Sequence, residues 1–412
     1  MLINESLPSH LGEIPDDWKR VKFSDVMTVR QGLQIAISER LNEPTESAKE
    51  YITIQSINKL DQDREYVNTP SERVTCTKED VLMTRTGNTG IVVTDVEGVF
   101  HNNFFLMDFR RDLIDKKFLV DYLRTSRVQH LILTKAGAST IPDLNHKDFY
   151  SIEFPQPPLP EQQKIAKILS IWDNVITTTE KLIANRKQQK KALMQQLLTG
   201  KKRLVNPETG KAFEGKWGEV RLSTLGTIVS GGTPSTSSID YWNGDVCWVT
   251  PTDITKLRTK LIKNTARKIT NLGLKNSSAK LVPAGSLLVC TRATIGELAI
   301  TQKDMCTNQG FKNIILNKNG SVDFLYYLLS FEKNKLLSKA CGSTFLELSK
   351  KDFGGLLFNV PVLKEQKAIA SVLSATDKEI ELLEAKLTHF KQEKKALMQQ
   401  LLTGKRRVKI AA

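Results

Sequence analysis

Two stretches of the chain repeat apolar residues at spacings of three, four and seven, which is the pattern of an amphipathic helix. The apolar positions are Ile165, Ile168, Leu169, Trp172, Ile176 and Ile183 in the first stretch, and Ile369, Val372, Leu373, Ile380, Leu387 and Phe390 in the second. Each stretch of about 40 residues predicts a helix roughly 60 Å long. Such a helix cannot bury its stripe inside one small domain. We therefore predict that the two helices pack together as an antiparallel, coiled-coil-like pair.

The two predicted helices are near copies of each other. Residues 161–201 match residues 365–405 at 23 of 41 positions, and the last twelve residues of the two stretches are identical. Gly200 and Gly404 stand where a left-handed helix cap is expected. The duplication suggests an approximate two-fold axis, with one globular domain at each end of the helix pair.

The segments outside these helices contain short runs of β-branched residues between turn residues, which is typical of strands. The clearest runs are Tyr51–Ile54, Gly90–Thr94, Ser286–Cys290 and Leu298–Ile300. One helix is predicted late in each segment, at 116–133 and 322–340. The expected fold class is α/β (α+β), with two strand-rich domains joined by the long helices.

The predicted domain division has four parts. They are a first globular domain at 1–156, a first helix at 157–203, a second globular domain at 204–360 and a second helix at 361–412. The globular domains have diverged much further than the helices. Domains that recognise different targets from a common framework would diverge in this way.

Charge adds a candidate partner to this architecture. The 412 residues include 60 Lys or Arg and 45 Asp or Glu, a formal net charge of +15. A surplus of this size favours a polyanion, most simply nucleic acid. The five scattered cysteines form no C-x-x-C pair, and no signal peptide or membrane span is evident, so we expect a cytoplasmic protein in a reducing compartment.

Several glycine-containing loops have the residues that DNA binding needs. Residues 84–90 (TRTGNTG) follow a predicted strand, and their counterpart in the second half is 291–296 (TRATIG). Glycine allows close backbone approach, while Arg, Thr and Asn supply donors for phosphates or base edges. The candidate DNA-binding residues are Arg85, Thr86, Asn88, Thr89, Ser139, Thr140, Gly232, Thr233, Arg292, Thr294, Ser343 and Thr344. An ordinary hairpin turn with an exposed arginine is the competing interpretation.

The last part of each predicted helix is basic. Residues 181–203 carry eight Lys or Arg and no acid, and residues 386–409 carry eight and one acid. Such a run is often only a solvated face. It also suits a DNA duplex, or partner subunits that dock on a surface common to both halves. The candidate partner-binding residues are Lys190, Lys191, Gln195, Lys394, Lys395 and Gln399.

Motifs for catalysis are missing from the sequence. It contains no Walker phosphate loop, no H-E-x-x-H zinc motif and no Asn/Asp-Pro-Pro-aromatic motif of an amino methyltransferase. Pro142-Asp143 could begin a nuclease motif, but no suitably placed acid-x-Lys follows. These observations favour a binding subunit with no catalytic or metal site.

Taken together, these features resemble the specificity subunit of type I restriction-modification systems. The resemblance rests on residues 155–166 (PQPPLPEQQKIA), on the two KKALMQQLLTG runs, and on Gly231–Ser235 followed by Tyr241-Trp242-x-Gly244 and Trp248. The first domain departs from this last pattern, because it has Arg30-Gln31-Gly32-Leu33-Gln34 at the corresponding place. The two domains are therefore expected to belong to different target classes.

The resemblance implies that each globular domain is a target recognition domain for one half of a split site in double-stranded DNA. It implies that the helix pair sets the length of the unread spacer. It also implies that two modification (methyltransferase) subunits dock on the chain, and that S-adenosylmethionine, ATP and Mg²⁺ belong to partner subunits. Whether restriction subunits also join stays open. Two other functions remain in competition: a self-contained DNA-modifying enzyme with a cryptic site, and a coiled-coil scaffold.

Overall fold

The computed structural model describes residues 11–58, 64–68, 71–137, 140–340 and 346–409. The chain divides into two compact units. The first contains residues 1–178 with 387–412, and the second contains residues 179–386. Each long helix therefore contributes one of its halves to each unit.

The first unit contains ten strands and the first five helices among the described residues. The strands are β1 Lys19–Lys22, β2 Met27–Gln31, β3 Ala48–Ile52, β4 Tyr66–Asn68, β5 Thr75–Cys76, β6 Val81–Thr84, β7 Val92–Thr94, β8 Gly98–Phe100, β9 Phe104–Phe109 and β10 Glu153–Gln156. The helices are α1 Phe23–Val26, α2 Lys116–Leu123, α3 Ser126–Ala136, α4 His146–Tyr150 and the long α5 Leu159–Leu197, which continues into the second unit.

These strands form two four-stranded sheets, in the orders β2-β9-β6-β7 and β4-β3-β8-β5, and a pair β1-β10. Alternate residues of β6 and β9 are buried on opposite faces of their sheet, as the two-residue period of a strand requires. Met83 and Phe105 enter the core beneath the helices, whereas Leu82 and Phe104 enter a smaller core on the other face. The central strands are thus apolar on both faces.

The second unit repeats this plan. Its strands are β11 Gly218–Arg221, β12 Gly226–Ser230, β13 Trp242–Val249, β14 Leu261–Ile262, β15 Arg267–Ile269, β16 Leu287–Val289, β17 Leu298–Thr301, β18 Cys306–Thr307, β19 Lys312–Leu316 and β20 Leu357–Val360. Its helices are α6 Pro251–Thr255, α7 Asn271–Lys275, α8 Val322–Phe331, α9 Lys333–Ser338, α10 Lys350–Gly355 and the long α11 Leu363–Leu401, which continues into the first unit. The sheet orders are β12-β19-β16-β17-β14, β15-β13-β18 and β11-β20.

Both shorter predicted helices are interrupted in the structure. The segment 116–133 forms α2 and α3, because Thr125 adopts an extended conformation and its side chain caps the N–H of Val128. The segment 322–340 forms α8 and α9, which break at Glu332. A threonine inside an apolar helical pattern can act as an N-cap, so the period alone predicts one helix where two form.

The long helices pack together as predicted, and within each unit they run antiparallel. In the first unit Asp173 of α5 contacts Lys394 of α11, and Glu161, earlier in α5, contacts Arg407, which lies beyond the end of α11. The mixed helix-and-strand fold and the pairing of two long helices are therefore confirmed.

The glycines after the two helices have the positive φ that a left-handed cap requires, +69° at Gly200 and +73° at Gly404. Space is also restricted there. A Cβ at Gly200 would lie 3.3 Å from the Trp217 ring, and one at Gly404 would lie 2.3 Å from Pro15. Both backbone conformation and packing thus favour glycine.

None of the helices described has an apolar stretch long enough to cross a membrane. Cys76, Cys247, Cys290 and Cys306 are buried free thiols. Cys341 lies outside the described residues.

Candidate nucleic-acid interface

The hairpin loops at 84–90 and 290–296 have the same backbone frame. In the first, the N–H of Gly90 donates to the Thr84 carbonyl at 2.8 Å, and in the second, the N–H of Gly296 donates to the Cys290 carbonyl at 2.9 Å. Both glycines have positive φ, +95° and +83°. The loops therefore have equal length and correspond residue by residue.

The Thr-Arg pairs at 84–85 and 291–292 are offset by one residue when the loops are aligned by their backbone hydrogen bonds. The carbonyl of Arg85 accepts the N–H of Leu144, and the carbonyl of Thr291 accepts the N–H of Leu348, both at 2.9 Å. Arg85 is therefore the structural counterpart of Thr291, which is completely buried. The two arginines, Arg85 and Arg292, are not equivalent.

Arg292 instead corresponds to Thr86. Thr86 forms an isolated antiparallel bridge with Asp143, and Arg292 forms the same bridge with Glu347. One half of the molecule thus has a short hydroxyl side chain where the other has a long cation. A common backbone with different side chains is what two different binding specificities need.

Arg85 is held in place by its neighbours. Its Nη2 donates to both carboxylate oxygens of Asp143 at 2.8 Å, its guanidinium lies 5.3 Å from the centre of the Phe105 ring, and its side chain is only 16% exposed. The hydroxyl of Thr86 donates to the same carboxylate. The hydrogen bond from Thr86, aided by Arg85, outweighs burial and holds the pKa of Asp143 below its ordinary value. Arg85 therefore braces the loop in this structure.

The remaining candidates of the first loop differ in exposure. Asn88 is exposed at the tip, next to Gly87, which has a positive φ of +81°. Thr89 is buried, and its hydroxyl donates to the carbonyls of Arg85 and Pro142. Asn88 is therefore better placed than Thr89 to contact a ligand.

In the second loop, Arg292 and Thr294 are half-buried and flank exposed Ala293. Ala293 has a φ of +62°, at the position of Gly87. A residue with a Cβ is strained in this conformation. The second loop therefore keeps the same backbone shape as the first at a cost in strain that glycine would avoid.

Gly232 and Thr233 lie beside this second loop. The hydroxyl of Thr233 donates to the side chain of Gln309, and the neighbouring Gly310 carbonyl accepts the N–H of Thr291. A Cβ at Gly232 would come within 2.3 Å of Ser278, so the close approach of the two backbones requires glycine there. The glycine-rich string is thus joined to the hairpin through the turn at 308–310.

Thr140 is exposed. Ser139, Ser343 and Thr344 lie outside the described residues.

A cleft of about 540 Å³ opens beside the tip of the first loop. It is lined by Gly87 and Asn88 of the loop and by Arg40 and His101, two residues that the sequence did not single out. Burial, with a smaller effect of Arg40, lowers the pKa of His101, which favours its neutral form. The cleft presents neutral hydrogen-bonding groups to a ligand, and its arginine is paired with Glu65.

The candidate partner-binding residues divide into two classes. Lys190 forms an ion pair with Asp377, and Lys394 forms one with Asp173, so both are used within the chain to tie one long helix to the other. Although burial opposes it, hydrogen bonds from Lys394 and Lys117 hold the pKa of Asp173 below its ordinary value.

The other four candidates are exposed. They are Lys191 and Gln195 on α5 and Lys395 and Gln399 on α11. A spacing of four residues places the two members of each pair on one face of their helix. Lys395 and Gln399 also border a groove of about 280 Å³ in the first unit, with an apolar floor that includes Met398 and Leu402.

A second tie closes each helix pair. In the first unit Arg407 donates two hydrogen bonds of 2.8 Å to Glu161, whose side chain is completely buried and also accepts the Trp18 indole N–H. In the second unit Arg203 donates to Glu365 at 2.6 and 2.7 Å. Glu161 and Glu365 belong to the sequence repeat, and Arg203 and Arg407 stand two residues after its two copies end, so the same contact forms in both units.

Comparison with known proteins agrees with this organisation. The family model described as type I restriction modification DNA specificity domain matches twice, at residues 15–186 and 214–392. A putative type I restriction enzyme specificity subunit, MjaX of Methanocaldococcus jannaschii, is 28% identical over 97% of this chain and 96% of its own length. The MjaIX specificity subunit of the same organism is 36% identical, but over 40% of this chain and 39% of its own length.

Solved structures support the fold. The HsdS subunit from Thermoanaerobacter tengcongensis covers 96% of this chain with 20% identity and a TM-score of 0.51. The type I restriction-modification S subunit from M. genitalium covers 98% with 14% identity and a TM-score of 0.57. In each comparison the match covers at least 98% of the solved chain.

Proposed function

The chain belongs to the type I restriction-modification DNA specificity family, and from that premise we propose that it directs methyltransferase subunits to a bipartite DNA site. Each globular domain recognises one half-site. The bases between the half-sites are not read. Restriction subunits join the same complex where the system retains them.

The observation that carries this proposal is the pair of hairpin loops. The two loops have one backbone frame, but they present Thr86 in one half of the molecule and Arg292 in the other. Contacts to base edges give sequence specificity, whereas phosphate contacts mainly position the protein. Changing side chains on a constant frame gives each domain its own target. Asn88 and Arg292 are the residues that we assign to DNA contact most directly.

The proposed role needs no chemistry from this chain. The methyltransferase subunits bind S-adenosylmethionine and methylate one adenine in each half-site, and ATP and Mg²⁺ serve the restriction subunits. The exposed Lys191 and Gln195, and Lys395 and Gln399, form the surfaces on which we place the partner subunits. Lys190 and Lys394 support these surfaces through their ion pairs with the opposite helix.

Methylome sequencing of bacteria that express the chain with its methyltransferase partner tests the bipartite site. We expect methylated adenines in a motif of two short specific parts separated by a fixed number of unspecified bases. A continuous motif, or methylation independent of this chain, would contradict the proposal.

The competing functions make different predictions for the purified chain. Given S-adenosylmethionine, ATP, Mg²⁺ and DNA, the chain alone should neither methylate nor cut; either activity would favour a self-contained enzyme. With the methyltransferase subunit added, gel-shift experiments should show sequence-selective binding. Binding that ignores sequence would favour a scaffold.

In this proposal the lengths of α5 and α11 set the number of unread bases between the half-sites. Each has 39 residues, so each spans about 58 Å. Half-site centres about 34 Å apart fall within that length. Four residues added to both helices, after Thr178 and after Lys386, should lengthen the gap in the motif and leave its two specific parts unchanged. Four residues added at the exposed turn after Glu208 should leave the gap unchanged.

A further inference from the structure

Arg267 packs against two tryptophans in the second unit. Its guanidinium carbon is 3.8 Å from the centre of the Trp242 ring and 5.1 Å from that of Trp248, and the two indoles meet edge to face at 5.0 Å. The backbone of Arg267 pairs with that of Trp248 across β15 and β13. Two aromatic rings therefore hold the guanidinium in place.

The tryptophans are themselves anchored to the glycine-rich string. The indole N–H of Trp248 donates to the Gly232 carbonyl at 2.9 Å, and that of Trp242 donates to the Ser235 carbonyl at 3.0 Å. Thr233 of this string donates to Gln309, which lies next to the hairpin loop that carries Arg292. A continuous set of contacts therefore joins Arg267 to the hairpin loop at 290–296.

The first unit also has an arginine on the corresponding aromatic residue, although this arginine comes from another part of the chain, the segment before β3. The hydroxyl of Tyr51 donates to the Leu33 carbonyl at 2.7 Å, and the guanidinium of Arg40 lies 5.0 Å from the centre of the Tyr51 ring. The N–H of Leu33 donates to the carbonyl of a β8 residue, and the N–H of Gly232 donates to the carbonyl of the corresponding β18 residue. Tyr51 and Trp248 are therefore structural counterparts.

This correspondence indicates which way the arrangement faces. Arg40 lines the cleft that also contains Gly87 and Asn88 at the tip of the hairpin. The aromatic–arginine arrangement thus borders the same cleft as the hairpin in the first unit. The N–H of Tyr51 donates to the carbonyl of Glu65, whose side chain binds Arg40, and Arg267 pairs with Trp248 at the equivalent place in the second unit. Arg267 therefore belongs on the hairpin side of its own domain.

The two arginines differ in their availability. Arg40 donates to Glu65 and to the Ile35 carbonyl, and its side chain is 16% exposed. Arg267 is exposed, and within the ranges that the structure describes its guanidinium has no hydrogen-bonding or ionic partner. Arg40 is used in holding its own domain together, whereas the donors of Arg267 have no acceptor among the residues that the structure describes.

We propose that Arg267 is a specificity-determining residue of the second domain, which recognises a guanine in the second half-site. A guanidinium presents two parallel N–H groups that match the O6 and N7 acceptors of guanine in the major groove. Stacking on the tryptophans orients these donors before DNA binds, which reduces the ordering that binding requires. This inference rests on the proposed function and names the base that the exposed side chain selects.

Arg267→Ala tests the inference in bacteria that also express the methyltransferase partner, with methylome sequencing as the measurement. One guanine position of the second half-site should become degenerate, with a loss of discrimination of roughly 10- to 100-fold. The first half-site should be unchanged. Arg267→Lys keeps the charge but not the paired donors, so it should not restore the preference. Arg267→Gln should shift the preference at that position from guanine towards adenine.

Arg258→Ala is the matched control, because Arg258 is another exposed arginine of the same unit. It should leave the motif unchanged. Thermal melting identifies any variant that fails to fold, and the Lys and Gln variants retain a long polar side chain over the rings if Arg267→Ala is unstable.

Two outcomes overturn the inference while the proposed function stands. One is a split motif in which all three Arg267 variants keep every base preference. The other is methylation that falls equally for all second half-site sequences, as a phosphate contact would give. If the unmodified chain shows no split motif, the proposed function itself fails.

Discussion

The loops and the long helices of the two units have changed in opposite ways. The hairpins at 84–90 and 290–296 share their backbone hydrogen bonds but differ in side chains. The long helices keep their side-chain contacts as well as their backbone, because the ion pair of Asp173 with Lys394 is repeated by that of Asp377 with Lys190. The contacts between the long helices are thus preserved, while the side chains of the hairpin loops vary. A protein that adapts to new targets without losing its partners needs this division.

The largest expected effect on stability comes from the contacts of Arg203 with Glu365 and of Arg407 with Glu161, and it should differ between the two units. Arg203→Ala leaves Glu365, which is 1% exposed, without its bidentate partner and should lower the free energy of unfolding by about 3 kcal/mol. Arg407→Ala should cost about 1 kcal/mol less, because Glu161 keeps its hydrogen bond from Trp18. Among described residues the corresponding indole N–H, that of Trp217, has no partner.

Calorimetry of the two variants measures this difference. A loss of 3 kcal/mol corresponds to a fall of roughly 6–12 °C in the melting temperature of a unit of this size. Arg203→Lys, which keeps the charge, should lose less than Arg203→Ala. Arg407→Ala also removes an exposed ion pair with Asp17, which contributes little, so a loss as large as that of Arg203→Ala would contradict the expected compensation by Trp18.

Substitutions in the hairpin loops should distinguish residues that stabilise the loop from residues that contact DNA. Arg85→Ala and Thr291→Ala change equivalent positions, and each should destabilise its unit by about 1 kcal/mol. Any weakening of DNA binding by Arg85→Ala should accompany this loss. If Arg85→Ala melts like the unmodified protein and still binds DNA weakly, Arg85 contacts DNA directly.

The left-handed position in each loop gives a smaller, reciprocal effect. Gly87→Ala should lower stability by about 1 kcal/mol, because a Cβ is strained at φ +81°. Ala293→Gly should be neutral or stabilising, since it relieves the same strain at φ +62°. Urea unfolding of both variants tests this. Destabilisation by both would mean that the side chain of Ala293 has a packing role.

The smallest expected effect is that of acid on the contact between Asp143 and Arg85 in the first loop. The pKa of Asp143 is held below its ordinary value, so its stabilising contribution is complete above the ordinary carboxyl pKa and is lost as the pH falls through the lowered one. Melting temperatures between pH 6 and pH 3 should fall further for the unmodified protein than for Asp143→Asn. Glu46→Gln, at an exposed carboxylate, should follow the unmodified protein.

Sequence periodicity was sufficient to predict the long helices, because the apolar spacing of three, four and seven residues is that of a helix and the duplication supplies the partner for its apolar face. The loops were recognisable as glycine turns. Their side-chain contacts were not predictable, because Arg85 and Asp143 are 58 residues apart in the chain. The true correspondence of Arg292 with Thr86 depends on backbone hydrogen bonds that the residue letters conceal. The aromatic support of Arg267 was hidden for the same reason.

The central claim is that each unit recognises its own half-site, and parallel methylomes of Asn88→Ala and Arg292→Ala test it most directly. We expect Asn88→Ala to change base preferences in one part of the motif only, and Arg292→Ala to change them in the other part only. If both variants change the same part, or if neither changes any preference, the assignment of one reading loop to each half-site is contradicted.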